Sequence, residues 1–538
     1  MVRYGSNEIA MKMEFTRSLI FFNILVTIII IALVPHVTAG PSAAIRNTPT
    51  RIQWGPCADS DLSSSGGECG FLSVPLDYAG RNNLKIQLAI SRIKHTVPDS
   101  QFQGIMLVNP GGPGGSGLGL ATLGKSVPNN VGDAYDWIGF DPRGVGLSRP
   151  ALSCLPYYFS GPRLNYVPLN DTLENIWLMR SKDYAMACAT NNLKLLQYMT
   201  TIDIAKDMES IRVALSQDQI SYYGFSYGTY LGQVYATLFP DRVRRMVLDS
   251  NVDARMVWFQ ANLNQDLAFE PNIKIWFRWL AKYNNVFHLG QTESQVEKQW
   301  NSTLKQLENN PFSNIIGPDE WLDIFLLAAY FQQTWIDLGT TFADWVNKND
   351  GDSLMGWYEA VENPGNDNLF AVYLAVVCTD AQWPQNWEYV RAENWRTFEK
   401  APTFTWLNAW FNGPCQYWPQ EGKIPVDVDG SKVSAILLID ETLDAPTPFE
   451  GSLEVRRRFP RAILLAEPNG TSHASSLSGN NCVDNTIAQY LLSGTLPARK
   501  SGDGPDLECA PLPEPVPSGV HKPTKAQIRN LLRKVKRY

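Results

Sequence analysis

The stretch Gly224-Phe225-Ser226-Tyr227-Gly228 sets one serine between two glycines, after a β-like run from Ile220 and before a helix-like segment at 229–239. A strand that turns sharply into a helix holds a serine hydroxyl out at the turn. Glycines on either side leave room where a β-carbon would crowd the strained backbone. A hydroxyl becomes a useful nucleophile only with a base to take its proton and an acid to orient that base. The chain has five histidines, His36, His95, His288, His473 and His521. His36 lies in an N-terminal targeting region, His95 follows an early strand, His288 falls in a helical insertion and His521 in a basic tail. His473, in Asn469-Gly470-Thr471-Ser472-His473, follows the last expected strand and is the candidate base.

The acid should fall between Ser226 and His473 in chain order, at the end of a late strand. Asp440, Glu441 and Asp444 all follow the strand expected at 434–439. Asp444 heads Asp444-Ala445-Pro446-Thr447-Pro448, whose prolines would fix the path of the loop, and is the first choice; Asp440 is the alternative. The oxyanion that develops when a hydroxyl attacks a carbonyl needs two preorganised N–H donors. One should be the N–H of Tyr227, directly after the nucleophile. The other should come from the glycine-rich turn at 111–114, at Gly112 or one residue to either side. That turn lacks the Lys-Ser/Thr ending of a phosphate loop and the Gly-x-Gly-x-x-Gly spacing of a dinucleotide site. Neither a cofactor nor a metal is expected. Arg143, after Asp141-Pro142, reads as a structural anchor for neighbouring loops.

These residues need a scaffold of parallel strands. Residues 105–108 and 245–249 are compact apolar runs of the kind buried on both faces of a sheet, and 84–93 alternates as a half-exposed strand. Residues 137–140, 434–439 and 462–465 complete the strand pattern, and 202–215 has the apolar spacing of a helix. Strands alternating with helices imply a mostly parallel central sheet covered on both faces. Between 252 and 425 that alternation gives way to long helix-like segments holding fourteen of the seventeen tryptophans. This is the pattern of a helical cap over the catalytic edge, packed by its own indoles. The expected division is an N-terminal extension with signal at 1–39, core at 40–251, cap at 252–425, core again at 426–510 and a basic tail at 511–538.

A net charge of −7 over 538 residues gives no reason to expect a nucleic-acid partner. Lys12 and Arg17 precede an apolar run at 19–34, followed by the small-residue pattern Val37-Thr38-Ala39. This reads as a cleaved secretory signal, with a retained membrane anchor as the alternative and Met11 or Met13 as alternative starts. Without a retained signal no stable membrane partner is expected. The tail beyond 522 is expected to be a short solvated helix or a frayed end. Export fits eight cysteines with no tight Cys-x-x-Cys pair: Cys57, Cys69, Cys154, Cys188, Cys378, Cys415, Cys482 and Cys509. Sequential pairing would give four local disulfides. Asn170, Asn301 and Asn469 stand in glycosylation sequons.

The motifs Pro110-Gly111-Gly112-Pro113-Gly114, Asp141-Pro142-Arg143-Gly144-Val145-Gly146-Leu147-Ser148, Gly224–Gly228 continuing to Gly232, Phe239-Pro240-Asp241-Arg242-Val243, Cys378-Thr379-Asp380 and Asp444–Pro448 occur in one order along the chain. Together they resemble the secreted tripeptidyl-aminopeptidase and prolyl-aminopeptidase family of α/β-hydrolases. The resemblance spans most of 54–509 and implies an α/β-hydrolase fold with a helical cap, with Ser226 as nucleophile, Asp444 as acid and His473 as base. Two positions depart from the family pattern: Ser472 precedes the histidine where the family has glycine, and Pro110 precedes the glycine turn as in the tripeptidyl branch.

The expected function is therefore an exported serine exopeptidase that removes short units from peptide N-termini through an acyl-enzyme on Ser226. The alternatives are an esterase or lactonase acting on a small acyl substrate with the same triad, and a catalytically silent binding protein. An aminopeptidase must hold an α-ammonium group, for which Glu359, Glu362 and Asp380 are the candidates in the expected cap.

Overall fold

Runs of β-branched, aliphatic and aromatic residues bounded by glycine, proline or polar turns build the sheet of the computed structural model, which describes residues 51–518 and 521–535. Ten strands lie in one sheet: β1 (Gly55–Pro56), β2 (Glu68–Pro75), β3 (Lys85–Ile93), β4 (Ile105–Asn109), β5 (Asp136–Phe140), β6 (Ile220–Phe225), β7 (Val243–Asp249), β8 (Leu437–Glu441), β9 (Ile463–Glu467) and β10 (Leu507–Glu508). Their spatial order is β1-β2-β3-β5-β4-β6-β7-β8-β9-β10. β1 to β3 form an antiparallel edge, β3 meets β5 antiparallel, and every pairing from β5 through β10 is parallel.

β4, β6, β8 and β9 are buried along their whole length, and the period of two sends alternate side chains to opposite faces. Leu107, Tyr222, Met246, Leu248, Leu438 and Leu464 join the core on one side. Met106, Tyr223, Val247, Leu437, Ile439 and Leu465 join the core on the other. β2 was not anticipated from sequence; its alternation of Leu72 and Val74 inward is interrupted by Cys69 and Gly70. β8 runs to Glu441, so Asp440 and Glu441, read from sequence as loop residues, belong to the strand.

The segment between β7 and β8 is helical and carries its own core, where Trp276, Trp279, Trp300, Trp321 and Trp335 pack with Phe325 and Phe342. Ring contacts such as Trp321–Phe325, 4.2 Å between centroids, recur throughout this core. The tail corrects the sequence expectation. Lys525–Val535 is a helix that buries Ile528 and Leu532 in the cap core, so its apolar stripe is docked and not solvated. Lys522 bridges Asp350 and Asp352, Lys525 pairs with Glu359, and the Trp279 indole donates to the Pro515 carbonyl.

Arg143 is fully buried and donates to both carboxylate oxygens of Asp207 (2.8 and 2.7 Å) and to the carbonyls of Leu76 and Tyr198. The cysteines pair sequentially as Cys57–Cys69, Cys154–Cys188, Cys378–Cys415 and Cys482–Cys509. Asn170, Asn301 and Asn469 are all exposed. The expected signal at 1–39 lies outside the described residues; among those described, no helix is long and apolar enough to cross a membrane.

Candidate active site

β6 delivers Ser226 into a left-handed backbone conformation, φ 55° and ψ −127°, from which the helix Tyr227–Leu238 departs at once. Neighbouring hydrogen bonds hold the strain. The Ser226 N–H donates to the Asp249 carbonyl at 3.0 Å, and the Ser226 carbonyl accepts from the Thr229 N–H and hydroxyl at 2.8 and 2.6 Å. The flanking glycines have no room for a side chain. A β-carbon on Gly224 would fall 2.5 Å from the Gly228 carbonyl oxygen, and one on Gly228 would fall 2.7 Å from that of Asn109.

The glycine turn after β4 lies directly on the elbow. A β-carbon on Gly111 would stand 2.9 Å from Ser226 Cβ and 2.9 Å from the Tyr227 nitrogen. The Gly111 N–H donates to Asn109 Oδ1 at 3.0 Å, so it faces its own strand. Gly112, the residue chosen from sequence, lines one cavity together with Ser226 and Tyr227.

His473 is buried, and its Nδ1 lies 2.8 and 3.0 Å from the two carboxylate oxygens of Asp444. Of the two acids left open by the sequence, Asp444 therefore meets the histidine, whereas Asp440 accepts from the Ser452 hydroxyl at 2.5 Å. Burial and the charge of Asp444 push the Asp440 carboxyl well above its ordinary range. Thr447, in the loop that Asp444 opens, donates its N–H to Asp444 Oδ1 (2.9 Å) and sets its hydroxyl 3.4 Å from His473 Nδ1.

Several residues that position the histidine were missed in the sequence reading. The Ala474 N–H donates to Ser250 Oγ (2.7 Å), and the Ser476 N–H and hydroxyl donate to Asp249 Oδ2 (3.0 and 2.5 Å), which ties the histidine loop to the end of β7. From the cap, the Tyr330 carbonyl accepts from the His473 N–H (2.8 Å), and Gln332 bonds Ser472 and Thr471. The only sequence signal for the first set was polar residues following a buried strand. Nothing in the sequence marked the second.

The cavity holding Ser226 has a volume of about 430 Å³. Its walls include Met256, Trp258 and Leu267 from the cap side and Pro446, Thr447 and Pro448 from the acid loop. None of the three carboxylates expected to hold an ammonium group lines it. Glu359 pairs with Lys525 on the outer surface, and Glu362 is buried against Arg163. Asp380 accepts from the Thr201 N–H and hydroxyl at 2.7 and 2.5 Å and opens on a separate cavity of about 320 Å³; burial pushes its pKa up to about 7. Each already has a partner: Glu359 has Lys525, Glu362 has Arg163, and Asp380 has Thr201, whose hydroxyl lies 2.7 Å from that of Tyr227.

Residues 104–333 match the family described as alpha/beta hydrolase fold, and residues 401–509 match the one described as TAP-like protein. The tripeptidyl aminopeptidase of Streptomyces lividans is 38% identical over 488 residues, covering 88% of this chain and 89% of that protein. The chain belongs to the tripeptidyl aminopeptidase family of α/β-hydrolases. It is accordingly an enzyme, a serine hydrolase of the peptidase type. More distant family relatives include serine protease Hip1 of Mycobacterium bovis, 29% identical over 482 residues, with 83% of this chain and 89% of the relative covered. Carboxylesterase B of Mycobacterium tuberculosis is 26% identical over 497 residues, with 88% and 92% covered.

Proposed function

We propose that this protein is an exported serine exopeptidase that cleaves short units from the free N-termini of peptides through an acyl-enzyme on Ser226. The observation that carries this reading is the His473–Asp444 pair, 2.8 Å apart, whose threonine neighbour Thr447 lines the cavity that also holds Ser226, in a chain 38% identical to a tripeptidyl aminopeptidase. In this mechanism His473 takes the Ser226 proton as the hydroxyl attacks the scissile carbonyl. Asp444 fixes the ring with Nδ1 protonated and stabilises the imidazolium. The N–H groups of Tyr227 and Gly112 receive the oxyanion. His473 then protonates the leaving amine and activates the water that frees the acyl product.

Export is supported by four disulfides and by the apolar run near the N-terminus. A second reading, hydrolysis of a small ester, draws on the apolar walls of the cavity and on the relative named carboxylesterase B. Tripeptide anilides with free and blocked N-termini, assayed beside p-nitrophenyl esters, separate the two. The exopeptidase reading expects turnover of the free-amine peptides. Turnover of esters alone overturns it.

A further inference from the structure

A carboxylate lies buried on the cap helix that walls the catalytic cavity, and among the described residues it pairs with no cation. Asp266 stands inside the cap helix Phe259–Lys282 and is 2% exposed. Among the described residues its hydrogen-bond donor is the neutral Asn408 amide, Nδ2 to Oδ1, at 3.0 Å. Asp266 lines a small inner pocket of about 20 Å³, room for one water-sized group or one ammonium, with Trp383 and Trp387 on its walls.

The inner pocket adjoins the catalytic cavity. Asn262 lines both, and Tyr373, which lines the cavity, donates its hydroxyl to Asn412 of the inner pocket at 2.9 Å. Asn262 is 8% exposed, and its side-chain nitrogen, with the Tyr373 hydroxyl as a neighbour, makes no hydrogen bond of ordinary geometry. An orphaned buried donor costs the full desolvation of that group, so its position on the wall of a cavity points to an acceptor that arrives with a ligand. Asn262 and Asp266 stand four residues apart, so both side chains fall on one helix face.

Resting on the exopeptidase reading, we propose that the inner pocket is the amine subsite of that same cavity, where Asp266 holds the α-ammonium of a peptide substrate and Asn262 donates to the carbonyl next to it. The substrate class is thereby a peptide with an unblocked N-terminus threaded toward the cap. Burial without a counter-charge pushes the Asp266 carboxyl well above its ordinary range, and an ammonium beside it would draw it back down.

Full-length protein and its Asp266→Asn and Asn262→Ala variants are assayed on a free-amine tripeptide anilide, on its N-acetyl counterpart and on p-nitrophenyl butyrate. Asp266→Asn is expected to lower kcat/KM for the free-amine peptide on the order of 100-fold, mostly through KM, and to change ester turnover by no more than a few-fold. Wild-type preference for free over acetylated peptide should collapse with it. A variant that keeps both the ester rate and the full preference overturns the subsite. Should Asp266→Asn lose ester turnover as well, Asn262→Ala decides: an unchanged KM for the free-amine peptide overturns the proposal, and a raised KM with the ester rate kept supports it. Wild-type protein that hydrolyses the ester and no free-amine peptide overturns the exopeptidase reading and this subsite with it.

Discussion

The loops at the strand ends and the helical cap are held by different physics. Ser226, Asp444 and His473 each follow a parallel strand, and backbone hydrogen bonds pin their loops: Ser226 to Asp249 and Asp444 to Glu441 within the sheet's own loops, and His473 to Tyr330 of the cap. The cap is held by interlocked indoles and phenyl rings and by a buried ionic cluster in which Arg163 meets Glu320, Asp323 and Glu362. Main-chain bonds survive most side-chain changes, so the first arrangement keeps atoms in register for chemistry. Side-chain packing and buried charge are altered by single substitutions, so the second can retune what is recognised while the reaction is kept.

The sharpest break in this contrast is at the serine. Ser226→Ala should lower kcat on the order of 10⁵-fold with far-ultraviolet circular dichroism unchanged, because one hydroxyl oxygen is lost and no main-chain bond with it. Turnover close to wild type would remove the strand-end loops from the chemistry altogether. Next come the two buried arginines. Arg143→Met, which strands Asp207 beneath the loops, should cost about 3–5 kcal/mol in urea unfolding at pH 7. Arg163→Met should cost a similar amount at pH 7 but less at pH 5. There Asp323, whose carboxyl burial pushes well upward, can take up a proton. Equal losses at both pH values would show that the cap cluster behaves as a simple pair.

A smaller effect comes from Asp249, beneath the histidine loop, whose pKa burial pushes up to about 6. The folded protein keeps this proton while the unfolded chain releases it near pH 4. The stability it contributes is complete below about pH 4 and is lost as pH rises through 6, on the order of 3 kcal/mol in all. Asp249→Asn should flatten that part of the profile between pH 4 and 7, and an unaltered slope would exclude Asp249 as its source. The smallest change is expected at the exposed Lys525–Glu359 pair, where Lys525→Ala should cost less than about 1 kcal/mol. A larger loss would mean that charge, and not burial of Ile528 and Leu532, docks the terminal helix.

The same division governs how far the sequence could be read. Residues 105–108 and 245–249 announced buried strands because both faces of a parallel sheet demand apolar residues at every position. Ser226 and the glycine turn were legible because their backbones require particular residue types. His473 emerged by elimination among five histidines, and the acid was narrowed to Asp444 or Asp440 until distance to the ring separated them. The partners of the cap carboxylates were not legible because acidity and position alone do not reveal them: Glu362 has Arg163, and Glu359 has Lys525. A usable signal for Asp266 did exist. It falls on the stripe of Asn262, Phe269, Ile273 and Trp276, where a carboxylate is out of place among core residues. The tail helix was likewise readable from the spacing of Ile528 and Leu532, but its basic residues drew attention to its solvent side.

The strands that bracket the cap are immediate neighbours, with Asp249 of β7 paired to Ile439 of β8 and Asn251 donating to the carbonyls of both Leu248 and Ile439. The inserted segment thus departs and returns through adjacent points on the sheet. Chain geometry of this kind tolerates grafting, because a replacement of any length need only span the same narrow gap. A cap exchanged through that gap would change what reaches Ser226, and it would have to offer the His473 N–H a carbonyl in place of that of Tyr330.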